Sequence, residues 1–250
     1  MVEVIGLEKG FGDEKVLKGV YMSVMKGEIF VVLGRSGCGK TLLLRHIIGL
    51  ERPDNGKVLI EGHDLWGVEE GKRRELRMRM AMVFQSSGLF DSMNVEKNIS
   101  LGLKGRPGIS EDEIGRRVEM ALRMVGLEGK GWMMPEQLSG GMRKRVGIAR
   151  ALALFPDIVL YDEPTTGLDP ETSDLISDLI VRTREELGVT SIVVTHDIPT
   201  AFKIADRIGF LHEGKMEFVG TPEELEKADG AVGEFLWHFF NGLKEVGMGG

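Results

Sequence analysis

Residues 34–41 read "GRSGCGKT", and "LSGGM" follows at 138–142. The first string fits the pattern G-x-x-x-x-G-K-[ST] in full. Gly34 and Gly39 let the backbone curl so that its N–H groups face phosphate oxygens. Lys40 sets a positive charge near the β- and γ-phosphates, and Thr41 offers a hydroxyl to Mg²⁺. A helix that starts here turns its positive end toward the same anions. The loop therefore predicts a nucleotide held by its phosphates. "DIVLYDE" puts Asp162 and Glu163 at the end of an apolar run, where ligands collect in an open α/β sheet. Asp162 suits Mg²⁺, held through water. Glu163 is placed to orient or deprotonate an attacking water. Gln85 ends the run "AMVFQ", and His196 follows the run "SIVVT", where an imidazole can reach a γ-phosphate. In "LSGGM", Ser139 is a good helix N-cap. The two glycines after it leave backbone N–H groups open for an anion. Cys38 is a small residue that fits the turn of the phosphate loop.

These groups need elements to hold them. "IFVVLG" is continuously apolar, as expected of a parallel strand buried on both faces. "KTLLLRHIIGL" then switches to a helical pattern, so strand, loop and helix form one phosphate-binding unit. "VEVIG", "GVYMSV", "GKVLIEG" and "RMAMVFQ" read as further strands, punctuated by turn chemistry at Gly27 and at "PDNG". From Ser86 to about Leu154, apolar residues recur at helical spacing in "EDEIGRRVEMALRMVGL" and "GGMRKRVGIARALAL". After Pro156 the strands return in "DIVLYDE", "SIVVTHD", "RIGFLHEG" and "KMEFVG". Between the first two, "PETSDLISDLIVRTREELG" is a helix with Pro170 in its first turn and Gly188 past its end. The reading is one α/β domain over 1–250. Its nucleotide-binding core spans 1–85 and 155–228, its helical subdomain 86–154, and a C-terminal helix and tail 229–250.

Composition narrows the class. The 250 residues hold 39 acidic and 32 basic side chains, a net charge of -7, which argues against a nucleic-acid partner. A single cysteine excludes an intrachain disulfide and points to a reducing compartment. No run approaches the roughly 18 apolar residues that span a bilayer. A soluble chain is expected, brought to any membrane by a partner. "KRRELRMR" at 72–79 reads as a solvated helix face. "EFLWHFFNGL" at 234–243 sets Phe235, Leu236, Phe239, Phe240 and Leu243 on one stripe. That stripe docks on its own domain, or meets a second subunit or a regulatory partner. The final "GMGG" is expected to be disordered.

Phosphate loop, glutamine, "LSGG", "DE", "GLD" and histidine occur in an order that resembles the ATP-binding subunit of an ABC transporter. The resemblance covers about residues 2–228. It implies a P-loop NTPase core with a mostly parallel sheet, an N-terminal antiparallel β subdomain and an inserted helical subdomain. It also implies ATP and Mg²⁺ as ligands. Gly34, Arg35, Ser36, Gly37, Cys38, Gly39, Lys40, Thr41 and Leu42 would wrap the phosphates, with Phe11 stacked on adenine. Thr41, Gln85 and Asp162 would serve Mg²⁺. Glu163 would be the base, His196 the switch histidine, and Asp169 a residue at the dimer seam. Ser139, Gly140 and Gly141 would grip the γ-phosphate held by a second copy in a head-to-tail dimer.

Two positions depart from the family pattern. Met142 stands where glutamine is usual. Leu42 stands where a hydroxyl is usual, which predicts a weaker α-phosphate contact. With "LSGGM", the strings "FQSSGLFDSMNVEKNI", "GVTSIVVTHDIPTAFKIADRI" and "GTPEEL" look like the Mla/Mce-type phospholipid transport ATPases. That likeness implies an integral membrane permease, an Mce-type lipid-binding protein and a small regulatory subunit as partners. The chain would then lie on the cytoplasmic face of a bacterial inner membrane. An importer ATPase for polar amino acids or another small solute, and an ABC-type ATPase without transport, are the alternatives.

Overall fold

A computed structural model describes residues 1–104, 106 and 108–237. The chain opens with β1 (Val2–Phe11), β2 (Glu14–Val24), β3 (Ile29–Leu33), α1 (Lys40–Ile47), β4 (Asn55–Ile60) and β5 (His63–Asp64). It continues with α2 (Glu70–Met78), β6 (Met80–Val83), α3 (Val95–Ser100), α4 (Glu111–Met124) and α5 (Gly140–Leu152). The last part holds β7 (Ile158–Asp162), α6 (Pro170–Leu187), β8 (Thr190–Thr195), α7 (Ile198–Ile204), β9 (Arg207–His212), β10 (Lys215–Gly220) and α8 (Pro222–Leu225). The chain divides into two compact units, one of residues Met1–Gly67 and Val194–Gly250, the other Val68–Val193. The division falls inside β8.

In the first unit, β1 pairs antiparallel with β2 and with β4, and β4 with β5. This is the expected N-terminal antiparallel sheet. Beside it, β3 pairs parallel with β9, and β9 antiparallel with β10. All five residues of β3 are buried, which explains its unbroken apolar sequence. Polar groups fix its start. The Asp206 carboxylate accepts from the Ile29 amide at 2.8 Å, and Arg207 pairs with Glu28 at 3.2 Å. Glu28 is buried, so losing Arg207 would remove its countercharge and destabilise the unit.

In the second unit, β6 pairs parallel with β7, and β7 neighbours β8. Helices follow the local sequence signals. Ser110 caps α4, Ser139 caps α5 and Asp169 caps α6, each accepting from a first-turn amide. Pro170 opens α6, and Gly188 ends it in the left-handed region at φ 65. The basic run lies in α2 and its C-cap: Lys72 pairs with Glu75 and Arg73 with Glu70, and Arg79, just past the helix, pairs with Asp157. Those pairs support the solvated-face reading.

Residues 230–237 are helical. Leu236 is buried, and the Phe235 ring lies 5.1 Å from Phe210 of β9, which favours docking on its own domain. Phe239, Phe240, Leu243 and the final "GMGG" lie outside the described residues.

Candidate functional site

In the first unit the phosphate loop leaves β3 at Leu33 and enters α1 at Lys40. The structure needs glycine at two of its positions. A Cβ on Gly34 would run into the Leu211 carbonyl oxygen and come within 2.9 Å of Cys38 Sγ. Gly39 sits at φ 105 and would set a Cβ 2.8 Å from Leu17. Arg35, Ser36 and Gly37 are exposed, and Cys38, Thr41 and Leu42 are half-buried. The Lys40 ammonium is buried and donates to the carbonyls of Gly34 at 2.8 Å and Arg35 at 3.0 Å. No side chain caps α1, and its first turn holds no acidic residue. Main-chain amides, a helix start without negative charge and an ammonium form a donor set that fits a polyphosphate.

Phe11 ends β1 and is 56% exposed, which leaves a face for a flat base. Lys9 lies 5.5 Å from its ring centre and is held by Glu51 at 3.0 Å and Asp54 at 3.2 Å. The Asp54 carboxylate also accepts from the Gly10 amide at 2.8 Å. That bond first, and Lys9 second, hold its pKa below the ordinary range. His196 is exposed just past β8. The turn after it is fixed by the Asp197 amide donating to Thr195 Oγ1 at 3.0 Å.

In the second unit, β7 delivers Asp162 and Glu163, 5% and 7% exposed. Glu163 has a left-handed backbone at φ 47, a conformation side chains seldom adopt and one that clusters at functional sites. Its carboxylate accepts from Thr166 Oγ1 at 3.0 Å. Lys144, one and a half turns into α5, donates to the Gln85 carbonyl at 2.5 Å and to the Glu163 carbonyl at 3.2 Å. Burial pushes the pKa of its ammonium down, against the pull of Glu163 and Asp162. Gln85 itself is exposed. Arg150 donates to the carbonyls of Gly88 at 2.5 Å and Ser87 at 2.8 Å. Among the described residues no three His, Cys, Asp or Glu side chains cluster as a cation cage. A hard carboxylate such as Asp162 is the kind of oxygen Mg²⁺ takes, since that ion keeps several waters and binds through few carboxylates.

Ser139 Oγ accepts from the Met142 amide at 3.2 Å. Gly140 is exposed and Gly141 buried. The Asp169 carboxylate accepts from the Thr172 amide at 2.9 Å and hydroxyl at 2.7 Å. The second unit thus brings Gln85, Asp162 and Glu163 together through Lys144, and Gly141 and Asp169 together through Thr172. The first unit brings together the phosphate loop residues. Lys144, Arg150, Thr166 and Thr172 are absent from the motif reading. One signal was available: Lys144 precedes Ile148 and Ala151 at helical spacing, so a lysine stands in an apolar stripe.

The family model described as ABC transporter matches residues 17–166. Over 230 residues, 91% of this chain, the sequence is 43% identical to the sulfate/thiosulfate import ATP-binding protein CysA of Caulobacter vibrioides. It is 38% identical over 237 residues to the intermembrane phospholipid transport system ATP-binding protein MlaF of Haemophilus influenzae. That alignment covers 94% of this chain and 90% of MlaF. The chain spans 66% of the length of CysA, and 67% and 60% of two further importer relatives. Among solved structures, the ATP-binding cassette MJ0796, dimeric and bound to ADP and Pi, superposes with a TM-score of 0.79 at 34% identity. That likeness covers 88% of this chain and 98% of MJ0796.

Proposed function

Since this chain belongs to the ABC transporter family of ATP-binding domains, we propose that it is the ATP-hydrolysing subunit of a phospholipid transporter. Lys40 and the amides of the loop and of α1 hold the phosphates, and Phe11 stacks on adenine. Thr41, Gln85 and Asp162 would serve Mg²⁺. Bound Mg²⁺ neutralises charge that develops on the transferred phosphoryl group. Glu163 takes the proton of the attacking water, which adds in line to the γ-phosphorus as the bond to ADP breaks. His196 contacts the γ-phosphate. Ser139, Gly140 and Gly141 grip the γ-phosphate bound by a second copy, and Asp169 lies at the seam. Two ATPs close this head-to-tail dimer, and hydrolysis reopens it.

A membrane permease is the further partner. No helix among the described residues is long and apolar enough to cross a membrane. A groove of about 570 Å³ next to Gln85, lined by exposed Phe84, Phe90 and Leu101, supports this docking role. The chain then works on the cytoplasmic face of a bacterial inner membrane, with an Mce-type lipid-binding protein and a small regulatory subunit in the same assembly. Met142 after "LSGG", together with the MlaF relative, carries the lipid reading. A second reading, an importer of a small solute, is favoured by the 43% identity to CysA.

The test is a mild-detergent pull-down from native membranes with the Glu163→Gln chain and ATP, followed by mass spectrometry of proteins and lipids. A multi-helix permease with an Mce-type protein and phospholipid is expected. A permease with a soluble solute-binding protein and no lipid would establish the importer instead. Recovery of no membrane protein would overturn both.

A further inference from the structure

α5 begins at Ser139 and then touches two other segments through two cations. Lys144 reaches the carbonyls of Gln85 and Glu163, and Arg150 those of Ser87 and Gly88. Both segments have unusual backbones. Ser87 lies at φ 63, Gly88 at φ 54 and Glu163 at φ 47. Each is a tight turn closed by a main-chain amide: Ser87 onto the Phe84 carbonyl at 2.9 Å, and Thr166 onto the Glu163 carbonyl at a longer 3.3 Å. Between the cations, Gly147 packs directly on this loop, where a Cβ would lie 3.3 Å from the Ser87 carbonyl oxygen. A left-handed turn persists only where its surroundings over-determine it. A buried ammonium shared by two carbonyls does so for both turns at once, and its hydrogen bonds are of the strong, charge-assisted kind.

We infer that Lys144 is a positioning residue that locks the Glu163 turn and the Gln85 loop onto the helix starting at Ser139. This rests on the reading of Glu163 as the base. Lys144 touches main-chain carbonyls and no reacting atom. It sets where the Glu163 carboxylate points by fixing the peptide from which that side chain springs. It also makes movement of the Gln85 loop and movement of Ser139 one event, because a single side chain bonds the loop and belongs to the helix. Arg150 serves only the far end of the loop.

Hydrogen exchange and steady-state kinetics on the full chain test this. Lys144→Met keeps the stem and removes the ammonium. Exchange at the amides of both Ser87 and Thr166 is expected to quicken by roughly tenfold or more. The kcat for ATP falls by a similar factor, and KM stays within about twofold. Lys144→Arg restores most of kcat. Arg150→Met quickens exchange at Ser87 and leaves Thr166 unchanged. Unchanged exchange at Thr166 in Lys144→Met, or a rise in KM with kcat retained, overturns the inference. If Lys144→Met does not fold by circular dichroism, Lys144→Gln is read by the same criteria. Glu163→Gln, measured alongside, separates the two claims. If it keeps its turnover, the base reading falls, while the exchange data still judge the clamp.

Discussion

Thr172 occupies the space that a side chain at residue 141 would need. A Cβ built on Gly141 falls inside the contact distance of Thr172 Cγ2, and the Thr172 hydroxyl is already committed to Asp169. The starts of α5 and α6 are therefore fitted to each other around one methyl group. Gly141→Ala is expected to lower ATP turnover at least roughly tenfold, by displacing Ser139 or Asp169. Thr172→Ser keeps the hydroxyl and removes the methyl, so alone it retains most activity. In the double variant it should recover part of the loss. Turnover of the three variants checks this, and an inert Gly141→Ala would sink it.

Glu163→Gln keeps the shape of the side chain and removes its basicity. Hydrolysis should slow at least ~100-fold, with ATP affinity by equilibrium binding changed only a few-fold. A variant that retains most of its turnover would remove Glu163 from the base role.

Phe11→Ala should raise the KM for ATP roughly tenfold, within the range measured for loss of one base–aromatic stack. Phe11→Trp should stay near the native value. Equal KM values for the alanine variant and the native chain would return Phe11 to a surface role.

His46 in α1 gives stability a pH dependence. Its ring is fully buried and Nδ1 meets the Leu42 carbonyl at 2.7 Å, while Nε2 has no hydrogen-bond partner among the described residues. Burial lowers its pKa first, opposed by the Leu42 carbonyl and by Glu51 and Asp54, with Lys9 adding to the lowering. A depressed base binds fewer protons folded than unfolded. Its contribution is complete above the unfolded pKa of about 6.5 and is lost as pH falls from there through the folded value. The melting temperature should drop by about 2–4 °C for each kcal/mol lost in that window. His46→Met should flatten the slope, and an identical slope would exclude His46 as its source.

The contrast between motif and support explains what was legible in the sequence. "IFVVLG" and "SIVVT" announce buried strands because burial on both faces demands an unbroken apolar run. Pro170 and Gly188 mark the ends of α6 because each backbone conformation there suits few residues. The phosphate loop is readable because its groups are contiguous. Thr172, Thr166 and Lys144 were not, because each acts across a gap in sequence, on a neighbour that only packing supplies. The short helix α3 also went unread, as six residues give too little periodicity.

The left-handed backbone of Glu163 has a consequence for anyone who tries to improve this protein. Glycine relaxes at such an angle, and an ordinary side chain there costs about 1 kcal/mol or more. Glu163→Gly would also take a carboxylate away from the buried neighbourhood of Asp162. A library sorted by heat resistance alone should therefore enrich glycine at 163 and discard the residue we propose as the base. Sorting for turnover would keep it, and the two screens would diverge at this codon.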